Sequence, residues 1–350
     1  MPHALTTAIL IALSSAAAFG AQWLSLPLPY LLGPLILTGV ISTLVPQHLP
    51  SGYSFPNWLR LIFIAVIGVM IGARITPDLF VLTPERVAGL IAVFIFVPLA
   101  HAYSFTIFNK VGQYDRVTSF YAGAPGGLYE SLAIGEEMGA DPARLTLQQF
   151  LRVILVVTAL PFGISLWIGE PVGSAGGATM AETNTALLDL PPTIMVIVLG
   201  ILAGRILPLP AKQLTCPLVV AAIVSLSGII DLHLPQWLVN AAQIVIGTAL
   251  GSRFGGLNRS QLQRGLWLSM LSVGGMLAMA ALFAIALHHY TGLPFDALLI
   301  SFAPGGVTEM ALVALSLEAS PALVTLHHVW RILLTVVGLS ISARVMRRQF

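Results

Sequence analysis

The chain reads as an all-α polytopic membrane protein built from two copies of one unit. Three observations carry that reading. Apolar runs of roughly 17 to 25 residues recur from end to end, each long enough to cross a bilayer as a helix. Of the 350 residues 57% are hydrophobic and only 9% are charged, against about 25% charged in an ordinary soluble domain, and the mean hydropathy is +0.92. Finally, residues 124–157 (APGGLYESLAIGEEMGADPARLTLQQFLRVILVV) realign without a gap on residues 303–336 (APGGVTEMALVALSLEASPALVTLHHVWRILLTV), with 13 of 34 positions identical. The matches are not the greasy positions that composition alone supplies. They include Pro125/Pro304, Gly126/Gly305, Gly127/Gly306, Glu130/Glu309, Pro142/Pro321 and Arg152/Arg331.

The repeat extends upstream. Pro56, Trp58 and Leu59 recur as Pro235, Trp237 and Leu238, and Gly68-x-x-x-Gly72-x-Arg74 recurs as Gly247-x-x-x-Gly251-x-Arg253, all at an offset of 179 residues. Leu26-Pro27-Leu28-Pro29 returns as Leu207-Pro208-Leu209-Pro210. The organisation is a first membrane repeat over 1–168, an acidic Gly/Ser/Ala/Thr-rich link over 169–190, and a second repeat over 191–350. Six apolar segments are expected in each half: 4–20, 29–45, 57–73, 87–108, 117–138 and 143–168, then 191–206, 214–230, 236–252, 265–290, 296–317 and 322–343. Segment 4–20 looks superficially like a secretion signal. No Lys or Arg precedes its apolar run and it has a counterpart at 191–206, so it is expected to be the first membrane helix.

The fifth and eleventh segments differ from the rest because Ala-Pro-Gly-Gly interrupts them. Proline lacks an amide donor and paired glycines favour unwinding. Unwound backbone at membrane depth is tolerated only where it is buried in protein or lines a cavity. These segments are therefore broken crossing helices or re-entrant hairpins. Charge placement separates the two, because short cytoplasmic loops are rich in Lys and Arg. The tail carries Arg344, Arg347 and Arg348, and the loop after the ninth segment carries Arg253, Arg259 and Arg264. Both are cytoplasmic if the eleventh segment re-enters, and the same choice for the fifth brings Lys110, Arg116 and Arg144 inside. The expectation is five crossings in each half, halves of opposite orientation, and cytoplasmic termini. Twelve crossings with parallel halves is the alternative.

The candidate site follows from the same repeat. A helix break with a helix amino end behind it offers free amides to an anion or dipole, which singles out Pro125, Gly126 and Gly127 with Pro304, Gly305 and Gly306. The bland reading is a packing kink. Glu130 and Glu309 fall in the first turn beyond each break, where a carboxylate could take a proton, hold a cation or cap the helix. Their neighbours differ, Tyr129 and Ser131 against Thr308 and Met310, so the two sides of a pocket would be chemically unequal. Arg152 and Arg331 lie about 15 Å into a helix that begins at Pro142 or Pro321. Arginine stays charged there and needs a partner: a substrate anion, or one of the two glutamates. His327, with His328, stands where the first half has Gln148 and Gln149, and could relay a proton. Adjacent helical residues point apart, which disfavours a shared metal. The Gly-x-x-x-Gly pairs fit close helix contact, within the chain or between two copies. Trp58 and Trp237 suit the bilayer interface. The lone Cys216 can form no internal disulfide, and the formal charge of +2 with no basic stripe gives no reason to expect nucleic acid.

Two copies of Ala-Pro-Gly-Gly-x-x-Glu, then Pro-Ala, then an intramembrane Arg, resemble the AbrB-type membrane protein family. That family is built on an AbrB duplication and also carries a provisional ammonia monooxygenase label. The resemblance covers roughly residues 24–345. It implies an integral membrane protein, linked in some members to gene regulation, with the solute left open. Three functions come out of residues and resemblance together. The first is a secondary transporter of elevator type in a bacterial inner membrane, moving a small anionic solute with H⁺ or Na⁺, since no nucleotide-binding motif is present. The second is a membrane-bound regulator. The third, a metal-dependent monooxygenase, would need a cluster of imidazole or thiolate ligands that eight scattered histidines and one cysteine do not supply. The expectation is no enzyme activity and no cofactor. The partners expected are the lipid bilayer, a small-molecule solute and a second copy of the chain.

Overall fold

In the computed structural model the described residues are 3–26, 28–77, 81, 83–169, 190–207, 209, 211–228, 230, 232–254, 259–317 and 319–346. Nearly all of the acidic link, Pro27, Pro208 and Pro210 of the Leu-Pro pairs, and Arg347 and Arg348 of the tail lie outside them. Fourteen α-helices and no β-strand occur among the described residues. The first repeat holds α1 (His3–Trp23), α2 (Pro29–Leu44), α3 (Asn57–Gly72), α4 (Pro84–Thr106), α5 (Arg116–Ala122), α6 (Leu128–Glu137) and α7 (Pro142–Ile168). The second holds α8 (Leu190–Ile206), α9 (Lys212–Leu226), α10 (Gln236–Gly251), α11 (Arg259–Thr291), α12 (Phe295–Phe302), α13 (Val307–Ser316) and α14 (Pro321–Met346).

Local chemistry explains where many of these helices start. α2, α4, α7 and α14 open on proline, whose fixed φ suits the first helical position and whose missing amide would have no partner there anyway. Thr83 and Asp115 cap α4 and α5 by accepting from the amides of Arg86 and Thr118. Among the described residues five stretches are long and apolar enough to cross a membrane, and the helices of 10–17 residues at Pro29–Leu44, Asn57–Gly72, Leu190–Ile206, Lys212–Leu226 and Val307–Ser316 are apolar as well. Phe19, Trp58, Phe94, Trp167, Trp237 and Trp267 are exposed, a surface suited to lipid. This is a helical membrane protein.

The chain forms two compact units, and neither follows the repeat boundary. Residues 1–81, 161–257 and 311–322 make the first; 82–160, 258–310 and 323–350 make the second. Each takes helices from both repeats. Within the first unit, α3 packs on α9 and α10 packs on α2. The Gly-x-x-x-Gly pairs make these contacts. A Cβ on Gly68 or Gly72 would collide with the carbonyl of Leu214 or Leu218, and one on Gly247 or Gly251 with that of Leu31 or Leu35. The glycine faces read from the sequence as possible contacts between two copies are therefore filled by the chain's own helices, each repeat embracing the other.

The second unit uses the same exchange. α4 and α11 run antiparallel past each other. Phe96 meets Phe283 with ring centroids 5.6 Å apart, and further along α4 the Ser272 hydroxyl is 2.9 Å from that of Ser104. Tyr103 lies across Gly275 and donates to the carbonyl of Leu271. α7 then packs on α11, where the Leu147 side chain lies over Gly265 and Gln148 is bonded to Ser269. α14 packs on α4, where His327 lies over Gly89 and Trp330 donates to the carbonyl of Leu90 at 3.1 Å.

Candidate functional site

The two Ala-Pro-Gly-Gly segments are the joints between α5 and α6 and between α12 and α13. The first joint reverses the chain. The Asp141 amide, just past α6, donates to the Thr118 hydroxyl at the start of α5 over 2.8 Å. Halfway along, the Ser131 hydroxyl donates to the Tyr121 carbonyl. Gly127 caps α6 with φ +58°, a left-handed conformation that glycine adopts at no steric cost. The second joint needs its glycines for space instead: a Cβ on Gly306 would meet the Glu309 carboxylate, and one on Gly305 the Met310 side chain. Pro125, Gly126, Gly127, Pro304 and Gly305 are all buried.

Each joint is pinned by the long helix that follows it, in the same register. Gln149 on α7 donates to the Tyr121 carbonyl at 2.8 Å, and His328 on α14 bonds through Nε2 to the Ile300 carbonyl at 3.0 Å. One turn later Arg152 donates to the Ala124 carbonyl and Arg331 to that of Ala303. All four bonds span 28 residues, so the sequence repeat is also a repeat of hydrogen bonds. Arg331 adds a second bond, to the Gly305 carbonyl at 2.7 Å. The first of these carbonyls belongs to the residue that caps α12, at that helix's negative dipole end, and the second lies just beyond it in the break.

This answers what neutralises the intramembrane arginines. The sequence left a glutamate or a substrate as the partner, and the structure supplies backbone carbonyls. Among the described residues neither Arg152 nor Arg331 is in an ion pair, whereas Arg144 pairs with Asp141 at the outer end of α7. Both guanidinium groups border the first break, Arg152 through the Ala124 carbonyl and Arg331 beside Gly126, so their like charges repel. Arg152 is 5% and Arg331 1% exposed, and the Nε of each has no hydrogen-bond partner. The first joint also meets α14 of the other repeat. A Cβ on Gly126 would lie 3.1 Å from the Thr335 hydroxyl and 3.7 Å from the Arg331 Nε, and one on Gly127 3.1 Å from Val336.

The glutamates turn back toward their own joints, as acids at the third helical position do when they cap. Glu309 is buried and folded over Gly306; Glu130 is half-buried, and a Cβ on Gly127 would lie 3.4 Å from it. Glu130 makes no hydrogen bond or ion pair with any described residue. Thr308 is buried beside Glu309. His327 bonds through Nδ1 to the Leu323 carbonyl at 2.9 Å and faces Gly89, while His328 faces Ile300. The two rings point apart. No three His, Cys, Asp or Glu gather into a possible metal site among the described residues. Sequence reasoning passed over Gln148 and Gln149, both fully buried. Their alignment with His327 and His328 was the available signal, since a buried amide repeated at a pinning position needs a partner.

A helical membrane protein whose two repeats each carry a broken segment pinned by a buried arginine is the class that fold and site define. The chain belongs to the family described as Transition state regulatory protein AbrB, whose sequence model matches residues 40–347. The uncharacterized protein YhjN of Bacillus subtilis (strain 168) is 26% identical over 348 residues, covering 93% of this chain and 89% of that protein. The provisionally named regulator AbrB of Escherichia coli (strain K12) is 25% identical over 323 residues, covering 90% and 89%.

Proposed function

We propose that the protein is a secondary permease for a small anionic solute, driven by H⁺ or Na⁺ and housed in a bacterial inner membrane. One observation carries this reading: two buried helix breaks, equivalent by repeat, both border Arg331, and neither Arg331 nor Arg152 is in an ion pair among the described residues. Paired breaks with opposed helix ends suit a midplane binding site. The two units support an elevator-type division, since both breaks belong to one of them and the first three helices of each repeat make up most of the other.

Halves of opposite orientation are part of the proposal. Their support is the antiparallel pairing of α4 with its own repeat counterpart α11. The register of Gly68 and Gly72 on Leu214 and Leu218 adds to it, since α3 and α9 run parallel there. With α2 and α3 as successive crossings in opposite directions, α9 then runs opposite to its counterpart α2. This reading has ten crossings, two re-entrant hairpins and cytoplasmic termini.

The test is uptake into proteoliposomes of purified protein, screening radiolabelled organic and inorganic anions under imposed H⁺ or Na⁺ gradients. Saturable uptake lost in Glu130→Gln and Glu309→Gln, with both variants still folded, is the expected result. Normal uptake in both variants would remove the breaks from the pathway. A second reading, membrane-bound regulator, is favoured by the printed name of the Escherichia coli relative. A protein that moves no solute yet alters transcription when deleted would favour it.

A further inference from the structure

The two breaks repeat in sequence, but they are not equally closed. On the second, Arg331 holds two carbonyls, those of Ala303 and Gly305, and only 1% of the residue is accessible. Glu309 is folded onto Gly306 and buried, and the Met310 side chain packs over Gly305. On the first, Arg152 holds one carbonyl, that of Ala124. Its Nε is sealed without a partner; its Nη2 has none among the described residues and is not sealed. Glu130 is half-buried with no described partner, and the place of Met310 is taken by Ser131, turned away toward Tyr121.

We propose that the repeats divide the work: the second break is a fixed wall, and the first binds a small oxyanion on Arg152 and the amino end of α6, with Glu130 carrying the accompanying proton. This rests on the permease reading above and narrows it. The cargo is an oxyanion because guanidinium N–H and helix amides both donate to oxygen acceptors. The proton follows from charge. An anion bound at the amino end of α6 lies beside Glu130, and two adjacent negative charges favour protonation of one. Glu130 takes the proton on a carboxylate oxygen, moves with the anion, and releases the proton on the far side. Of the charged and titratable groups on the elements packed against this break, Arg152 of α7 and Arg331 of α14 reach it, His101 of α4 bonds the Phe120 carbonyl just before it at 2.8 Å, and Tyr103 of α4 is turned to Leu271. Asp115 and Arg116 of α5 and Arg144 of α7 stay at the outer ends of their helices, and Glu136 and Glu137 close α6 at its far end. Tyr121 lies beneath Ser131 and Gly135, and His328 is turned to Ile300.

The test has two arms, both on the full chain in detergent. First, the affinities of acetate, sulfate and inorganic phosphate are read from thermal unfolding across pH; the planar and tetrahedral probes separate carboxylate from phosphate-like cargo. Arg152→Lys should weaken the bound probe roughly tenfold or more, the worth of one charge-assisted hydrogen bond, with the empty protein unfolding near the wild-type temperature. Arg331→Lys should lower the unfolding temperature of the empty protein and weaken the bound probe less than Arg152→Lys does. Glu130→Gln should flatten the pH dependence of affinity. Second, a hydrophobic carbodiimide, which reacts with protonated carboxyl groups, should modify Glu130 and spare Glu309, as read by peptide mass. Affinity that follows Arg331, or modification of Glu309 in place of Glu130, overturns the division between repeats and leaves the permease reading standing. A wild-type protein that none of the three probes stabilises overturns the oxyanion, and the anionic permease with it.

Discussion

Arg331 satisfies two buried carbonyls and Arg152 one, and that difference is measurable. Replacing either by Met relieves the same mutual repulsion, so the relief cancels in the comparison. What remains is the extra carbonyl, and an orphaned buried acceptor costs roughly 1–3 kcal/mol. Arg331→Met should therefore be less stable than Arg152→Met by about that amount, checked by unfolding in detergent; equal losses would mean that the second bond contributes nothing. Asp115 makes a residue-scale prediction about pH. Burial pushes its carboxyl up, but hydrogen bonds from Thr118 and nearby amides outweigh this and hold it below the usual 3.8. A depressed acid contributes stability that is fully present above the unfolded value and fades as pH falls through the folded one. The hairpin should thus loosen only in strong acid, seen as rising amide exchange in α5. Asp115→Ala should lose about 1 kcal/mol of capping at neutral pH and show no further acid step.

At the scale of helices, neighbouring glycines have opposite roles. On α11 a Cβ at Gly274 meets nothing, while one at Gly275 strikes the Tyr103 ring. Gly274→Ala should be neutral or stabilise by up to about 1 kcal/mol through helix propensity, and Gly275→Ala should destabilise by about 1–3 kcal/mol through overpacking. Unfolding temperatures of the two variants decide it. Gly72→Leu should be worse still, because it opposes the Leu218 backbone, which cannot rotate aside. Much at this scale was legible in the sequence. The two interrupted segments, 117–138 and 296–317, are each broken into two helices, α5 and α6 in one and α12 and α13 in the other, and the other ten segments each became one helix. Periodicity and helix breakers are local signals, and they survive folding. Which helix meets which was not legible, since a glycine face shows only that something comes close. The partners of Arg152 and Arg331 were hidden for a related reason: backbone carbonyls are the same under every side chain, so no residue letter announces them.

Over the whole molecule the repeats differ from the compact units, and this gives the orientation proposal a direct check. In a Cys216→Ala background, Lys110→Cys and Tyr290→Cys lie at the ends of the fourth and tenth apolar segments. Halves of opposite orientation put Lys110→Cys inside and Tyr290→Cys outside, so an impermeant thiol reagent applied to intact cells should label only the latter. Labelling of both from one side would restore the twelve-crossing, parallel arrangement.

The exchange of partners described for α3 with α9, α10 with α2, α7 with α11 and α14 with α4 has a bearing on descent. A solitary repeat has no mate for its glycine faces and leaves one flank of its seventh helix bare. Its single-copy forebear could have been folded only as a pair, and if the halves are inverted, that pair had one member inserted each way up. Fusion then made permanent an arrangement that the forebear had to assemble by chance at every round of synthesis. It also freed the two joints to diverge, Gln148 and Gln149 on one side and His327 and His328 on the other.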